Sequence, residues 1–490
     1  MPSSADAPFR STLTRRQAFR RAAFAAGALV GGGMLAGCST HATHAPTLVP
    51  TRIQLIFQPL TTLPFATLAS FLQAALSKFE TAHPGIAVKI EPHGNTASNI
   101  AAIISGTGPD IVYDFHFAPY AQQGLLLPLD GFIRQDNIST EIWSGTQMRV
   151  FRTPEGLRAL PCFFGTMVYA VNLNDFDSAA LSYPQPGWTH TEFATLSGAL
   201  TRANGGAKRF GAEVEWYAAS TNDGESAWLF RAFGGDFINA AGTGVDLTTK
   251  AALAAGTWMY EDLLWPGVAK PRQPGQTSAQ FGQGLMSMAA VGNWDLARLA
   301  LATRTIGKWD FYPFPRFPHG RTTFGTDDFY GISAGTKHPD AAWTLLKWLS
   351  VESEWQREMI KTQLLSPALL SLWPEWESTV QAVAPVLKDK AIHWFADAAT
   401  RGEAVPPAYF RYEDAATQDL VGTYFGQIFS RKLSVPEGFR QLQQRVAAMQ
   451  TLAAQQGPPP TAAALIAARH RELQRLQTMF QASGTPRPAP

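Results

Sequence analysis

Two cysteines, Cys38 and Cys162, are all that this 490-residue chain holds, and so few exclude a disulfide scaffold. No uninterrupted apolar run reaches about 18 residues, which excludes a multi-span membrane protein. An excess of one charge is missing too. The 40 basic and 38 acidic residues leave a net +2 with no basic stripe, so no nucleic-acid partner is expected. Catalytic signatures are absent: there is no G-x-S-x-G, H-E-x-x-H, C-x-x-C or P-loop. The ten histidines are scattered, with no pair at helical ligand spacing in the folded body, so neither a metal nor a cofactor is expected. Gly106-Thr-Gly108 begins like a dinucleotide loop, but it precedes a strand and breaks at Pro109 and Asp110, which makes it a turn.

What is present reads as globular: 46% hydrophobic and 16% charged residues, with length enough for two lobes. The start is an address. Arg10, Arg15, Arg16, Arg20 and Arg21 precede a charge-free run from Ala22 to Ala36, the layout of a secretory signal. Leu35-Ala36-Gly37-Cys38 resembles a bacterial lipobox, which makes Cys38 the expected lipidated first residue of the mature protein. Thr14-Arg15-Arg16-Gln17-Ala18-Phe19 resembles a twin-arginine export motif, and the twin-arginine and general secretory routes both stay open. Removing residues 1–37 takes away five arginines and one aspartate and leaves a net charge of −2, so the basic balance belongs to the signal. Residues 38–50 are small, polar and proline-bearing, a tether. Cys162, between Pro161 and Phe163, is expected to be a buried small apolar residue.

The body then alternates. Arg52–Phe57, Ile86–Ile90 and Asp110–Tyr113 read as strands, separated by helices over Thr67–Ala82 and Ser98–Ser105. Such β-α-β-α-β order predicts a parallel sheet covered by helices. Further strands are expected at Phe163–Asn172, Arg209–Glu215, Leu285–Val291, Lys308–Tyr312 and Phe329–Ala334. Helices are expected at Thr189–Arg202, Glu225–Phe233, Thr248–Asp262, Pro339–Leu349, Tyr412–Arg431 and Pro436–Thr451. After Gly457-Pro-Pro-Pro460 one more Ala- and Arg-rich helix, Thr461–Phe480, and a Pro-rich end form an appendage. Glu213 and Glu215 lie two apart on one strand and so share a face. They keep open a second reading, a secreted carbohydrate-active enzyme that uses Glu213, Glu215 or Asp223, since glycoside hydrolysis needs a pair of carboxylates.

Gly108-Pro-Asp-Ile-Val-Tyr113 followed by Tyr120-Ala-Gln-Gln-Gly-Leu-Leu-Leu-Pro-Leu129 resembles the first lobe of the carbohydrate-binding proteins of ABC importers, the extracellular solute-binding proteins of family 1. In the family's order follow Gly156-Leu-Arg-Ala-Leu-Pro161, Met167-Val-Tyr-Ala-Val-Asn172, Phe233-Gly-Gly-Asp236, Phe281-Gly-Gln-Gly-Leu-Met-Ser-Met288, Val291-Gly-Asn-Trp294, Gly331-Ile-Ser-Ala334 with Lys337–Leu349, and Gly402-Glu-Ala-Val-Pro-Pro407. The resemblance covers roughly residues 52–450. It implies an α/β, two-lobed periplasmic-binding-protein-like fold of type II, with a hinge of three crossings and a ligand cleft between the lobes. The implied lobes are 51–161 with 320–368, and 162–319 with 369–455, and residues 456–490 are a tail. The implied protein is not an enzyme. It is a monomer, exported and lipid-anchored to the outer face of the cytoplasmic membrane, which binds a sugar or related polyhydroxy solute and hands it to ABC permease subunits.

Ligands of open α/β sheets sit at the carboxyl ends of strands, here Gln58, Asp114, Phe115, His116 and Trp216. The resemblance adds Phe164, Glu215, Asn293, Trp294, Asp327, Asp328, Tyr409 and Arg411 to the expected ligand set. Trp294 is expected to stack on a sugar ring and Asp114 to accept hydroxyl hydrogen bonds, because sugars offer flat C–H faces rimmed by hydroxyls. Three departures argue against maltose itself and leave room for another saccharide, a polyol or a glycerol phosphoester. The loop Gln58–Pro64 is apolar, the loop Asp114–Pro119 is short and lacks a Trp, and Gly165 stands where the maltose-binding member has a ligand-contacting Glu.

Overall fold

The computed structural model describes residues 52–61, 64–204, 207–215, 226–273, 275–410 and 415–456. Cys38, Trp216, Asp223, Arg411 and the tail beyond 456 lie outside them. The main strands are β1 (Ile53–Phe57), β2 (Ile86–Ile90), β3 (Ile111–Asp114), β4 (Leu160–Pro161), β5 (Met167–Asn172), β6 (Ala207–Val214), β7 (Ala269–Pro271), β8 (Met286–Gly292), β9 (Trp309–Tyr312) and β10 (Phe329–Ile332). They form two sheets of the same plan. The first runs β2-β1-β3-β10-β4, and the second runs β7-β6-β8-β5-β9 with Arg202–Asn204 folded back on β6.

Local chemistry explains the elements. The helix Phe65–Ala82 buries Leu68, Leu72, Ala75, Leu76 and Phe79 on one stripe and stops at His83-Pro84. The helix Thr96–Ser105 begins with a capping box between Asn95 and Ser98 and ends on Gly106, whose φ of +74° is the left-handed conformation that glycine adopts without strain. Strands β1, β2 and β3 run parallel, as the alternation predicts, in the register Ile53↔Ile86 to Phe57↔Ile90. Strand β10 lies antiparallel to β3, with Phe329 opposite Asp114. The chain therefore returns to complete the first sheet only after every strand of the second has been laid down.

Three buried clusters record that path. One takes residues from Leu55 to Phe163 and again from Phe329 to Leu372. A second takes residues from Met167 to Phe324 and from Val405 to Val446, and the third, beginning at Phe164, is shared by β5, β8 and β9 with the helices from Ile360 to Ala399. The chain passes from the first lobe's core to the second's between Phe163 and Phe164. It returns between Phe324 and Phe329, and leaves again before Trp373.

Two edge strands, β4 and β7, and the helices Ser353–Gln363, Trp373–Val383 and His393–Thr400 were not expected from sequence. Both strands contain proline, which normally argues against a strand. They are tolerated because β4 and β7 are outermost in their sheets, where one side of the backbone has no ladder to make. The expected helix Thr248–Asp262 is α-helical only over Lys250–Thr257 and widens to a π-helix over Trp258–Leu264.

Close approach fixes one glycine in the second sheet. A Cβ on Gly211 of β6 would lie 1.9 Å from the carbonyl oxygen of Ser197, in the helix His190–Leu200 that covers the sheet. Backbone cannot yield as a side-chain tip can. Gly211→Ala is expected to destabilise the protein by about 1–3 kcal/mol, the usual cost of overpacking. Chemical denaturation of both proteins checks this, and an unchanged midpoint and slope would mean that the helix moves away freely.

Candidate functional site

The first lobe presents the ends of β1 and β3 and the start of β10 at one edge. At the centre lies Asp114, which is wholly buried. Its Oδ1 accepts from the backbone N–H groups of Phe115 (2.8 Å) and His116 (3.2 Å) and from the Thr96 hydroxyl (3.2 Å). Its Oδ2 accepts from the Tyr120 hydroxyl at 2.6 Å. Burial alone would raise its pKa. The opposing contacts with His116, His93 and Tyr120 win and hold the carboxyl well below the ordinary range, so it is ionised. Asp114, expected to accept hydrogen bonds from a ligand, is instead enclosed by these partners and fixes the loop that follows β3, and that loop displays an aromatic ring. This is Phe115, 41% exposed, with its ring 4.3 Å from that of His116.

Asp327 and Asp328 lead into β10 at the same edge. The Tyr113 hydroxyl donates to Asp328 Oδ1 at 2.8 Å. The Phe117 N–H and the Tyr409 hydroxyl donate to Asp327 Oδ2. Burial pushes Asp327 up to about 7 and Asp328 up to about 6, against the pull of those hydrogen bonds. Tyr409 belongs to the closing segment, whose neighbour Phe410 packs in the second lobe's core. The same segment is held again where Gln122 Nε2 donates to the Phe410 carbonyl at 2.8 Å. Gln58, at the end of β1, is buried with its Nε2 3.2 Å from Asn99 Oδ1.

The second lobe presents the ends of β7, β6 and β8 side by side. Glu213 accepts from the Thr277 hydroxyl at 2.7 Å and lies 3.3 Å from Lys270 Nζ. Its complete burial outweighs these partners and pushes its pKa up to about 7. Arg272 lies with Nε 3.2 Å from Glu215 Oε2 and Nη2 2.5 Å from Asp295 Oδ2. Its guanidinium carbon is 5.7 Å from the centre of the Trp294 ring, within cation–π range. Trp294 is half-buried and touches the cores of both lobes, edge-on to Phe163 of one and Phe324 of the other.

The sequence model of the bacterial extracellular solute-binding proteins matches residues 65–353, more than half of the chain. This chain belongs to that family. Among solved structures, the solute-binding protein is similar to an ABC substrate-binding protein of Listeria monocytogenes in complex with cycloalternan, at 17% identity and a TM-score of 0.65 over 82% of this chain and 99% of that one. It is similar to the sugar-binding protein of Xanthomonas citri at 16% identity and a TM-score of 0.66, over 81% and 98%. It is also similar to UgpB of Mycobacterium tuberculosis in complex with glycerophosphocholine, at 18% identity and a TM-score of 0.64, over 82% and 98%. These likenesses show the two-lobed periplasmic-binding-protein-like α/β fold. No curated relative matches the sequence.

Of the expected ligand residues, the solute-binding protein brings Phe115, His116, Trp294 and Tyr409 to partly or fully exposed positions. Gln58, Asp114, Glu215, Asp327 and Asp328 stand behind them, buried in polar networks. Phe164 and Asn293 are wholly buried at the lobe junction, where the Asn293 amide donates to the Phe164 carbonyl at 3.2 Å. Trp216 and Arg411 lie outside the described residues. Arg272, Asp295 and Tyr113 were not expected. Arg272 follows the proline-bearing edge strand β7, and the one signal for it was the basic pair Lys270 and Arg272 two apart, matching the acidic pair Glu213 and Glu215. Among the described residues no group of His, Cys, Asp and Glu could hold a metal, and no helix is long and apolar enough to cross a membrane.

The raised carboxyls give a pH dependence. Asp327, Asp328 and Glu213 keep their protons to higher pH when folded, up to about 7, 6 and 7. Their contribution to stability is complete below the unfolded-chain value of about 4 and is lost as pH rises through the folded values. Asp114 has the opposite sign and contributes a constant amount above about pH 4. Asp327→Asn removes one of the raised groups. Its stability relative to the wild type is expected to be more favourable at pH 8 than at pH 5, by on the order of 1–3 kcal/mol. Thermal unfolding at the two pH values checks this, and a difference independent of pH would rule out a raised Asp327.

Proposed function

We propose that this chain is a lipid-anchored, extracytoplasmic substrate-binding protein of an ABC importer, which closes its two lobes on a sugar or oligosaccharide and delivers it to the permease. The single observation that carries the reading is the pairing of half-sites. Each lobe ends its strands in an accessible ring, Phe115 or Trp294, backed by a buried and hydrogen-bonded polar network. Flat rings match the C–H faces of a pyranose, and the polar rim suits its hydroxyls. The proposed lobes are residues 51–161 with 320–368, and 162–319 with 369–455. The buried clusters exchange within a few residues of those limits, at Phe163–Phe164, between Phe324 and Phe329 and before Trp373, which supports the division into lobes.

The charge balance favours a neutral solute over a phosphoester. Among the described residues at the second lobe's strand ends, Arg272 is already engaged by Glu215 and Asp295, and Lys270 lies against Glu213. A phosphate would need a basic cluster or a helix N-terminus aimed at it. The enzymatic alternative draws its one support from Glu213, since a carboxyl near neutrality suits a general acid. Its complete burial against Thr277 and Lys270 weighs against that role.

A thermal-shift and calorimetry panel of maltotriose, mannotriose and glycerophosphocholine tests the function. Saturable binding of a saccharide that is recovered unchanged is expected. Turnover of the saccharide would overturn the receptor reading, and binding of glycerophosphocholine alone would overturn the neutral-solute reading. On the saccharide that binds, Trp294→Ala is expected to weaken affinity by about 2–4 kcal/mol, as for a buried interface aromatic. Undiminished affinity would assign Trp294 to the lobe junction alone.

The anchor rests on the sequence Leu35-Ala36-Gly37-Cys38. Cys38→Ala is expected to release the protein from the membrane or leave its signal uncleaved. Mass spectrometry of the native protein checks this, and an unlipidated mature N-terminus would overturn the anchor.

A further inference from the structure

Asn293 directly precedes Trp294 and follows β8, yet it has no exposed surface. Its position explains why. The side-chain amide donates to the Phe164 carbonyl (3.2 Å) and to the Ser366 hydroxyl (2.8 Å). Ser366 in turn donates to the same Phe164 carbonyl at 2.9 Å. The backbone N–H of Asn293 donates to the Thr166 carbonyl at 3.1 Å. Phe164 and Thr166 lie where the chain first leaves the first lobe's core, and Ser366 lies at the start of the segment, Leu365 to Leu372, that runs along that core before the chain leaves it for the last time. The remaining crossing joins the same knot. Gly165 and Thr326 exchange hydrogen bonds, N–H to hydroxyl at 2.9 Å and N–H to carbonyl at 3.0 Å. Gln147 Nε2 reaches the carbonyls of both Phe163 (2.7 Å) and Thr326 (3.3 Å).

We propose that Asn293 is a positioning residue that pins the first crossing, and the segment that leads to the third, to the strand end carrying Trp294, so that a solute on the indole biases the angle between the lobes. The proposal rests on the reading of Trp294 as a solute-facing ring. Its physical basis is adjacency. One residue separates the pin from the ring, and the ring rests on the same first crossing, where a Cβ on Gly165 would come within 2.6 Å of its Cζ3. Ring and crossings therefore cannot move independently. A group that differs between lobe orientations is what couples occupancy to closure.

The test measures lobe orientation in the ligand-free full chain. Spin labels are placed at the exposed positions Gln73→Cys and Lys250→Cys in a Cys38→Ala background, Cys162 being buried. The wild type is expected to give one narrow distance distribution, Asn293→Ala a broader one, and Ser366→Ala, which removes one partner, an intermediate one. Maltotriose affinity is expected to fall about tenfold in Asn293→Ala. A wild-type distribution in a folded Asn293→Ala overturns the proposal, even if its melting temperature drops. Should Asn293→Ala not fold, Ser366→Ala decides, and a wild-type distribution there overturns it. Failure of maltotriose to bind the wild type counts against the saccharide reading alone, because the ligand-free distribution is read without it.

Discussion

Gly165 has no side chain, and the meeting of the two lobes depends on that. A Cβ there would lie 2.4 Å from Thr326 Cγ2 and 2.6 Å from Trp294 Cζ3. The space belongs to a methyl group of the second crossing and to the edge of an indole. Gly292 repeats the constraint from the strand side, where a Cβ would fall 2.3 Å from Trp294 Cε2. With both positions bare, one ring can touch the core of each lobe, through Phe163 and through Phe324. The sequence departs from the maltose-binding pattern at Gly165, where that pattern has a Glu. The departure is more than the loss of a contact, because the volume of the missing side chain is taken by Trp294 and Thr326.

Buried charge does the second task, that of holding the exposed groups still. Asp114 gathers two backbone N–H groups and two hydroxyls, so the Phe115–His116 loop has a fixed entry. Arg272 is gripped by Glu215 and Asp295 and lies near the Trp294 ring, so the indole's neighbour is itself immobile. Supports of this kind stabilise the fold little, because desolvation offsets much of the attraction. Their value is geometric. A ring presented by a satisfied network loses little freedom when a solute arrives, and binding is stronger by what it need not spend on ordering.

These two tasks also separate what sequence reveals from what it hides. Periodicity placed the parallel strands, the helix Phe65–Ala82 and the strand-end loops, because burial of one stripe or one face leaves a mark in the order of residues. Strand ends pointed to Asp114 and Trp294, and the family resemblance added Asn293 and Asp327. What order cannot show is whether a side chain at a strand end turns outward to solvent or inward to the crossings. Asn293 and Trp294 are adjacent and of opposite disposition, the amide wholly buried and the ring partly open. Arg272 went unseen for another reason. A three-residue strand that ends in Pro271 has too little alternation to register, and only the edge position in the folded sheet makes it possible.

The pairing of the crossings limits how the lobes can move. Gly165 and Thr326 bond in both directions, and the next pair, Thr166 and Gly325, forms an antiparallel bridge. Two strands joined this way twist about their common axis at little expense. Sliding one along the other would break several bonds at once and leave buried N–H and C=O groups unpaired, at a cost of about 1–3 kcal/mol each. The segment that leads to the third crossing is tied through Ser366 to Phe164, the neighbour of that pair. Crossings held at one place act as an axle, whereas crossings spread across an interface resist rotation. The arrangement therefore favours bending of one lobe on the other over shear. Trp294 sits against that axle, where a small rotation most directly alters what the indole meets.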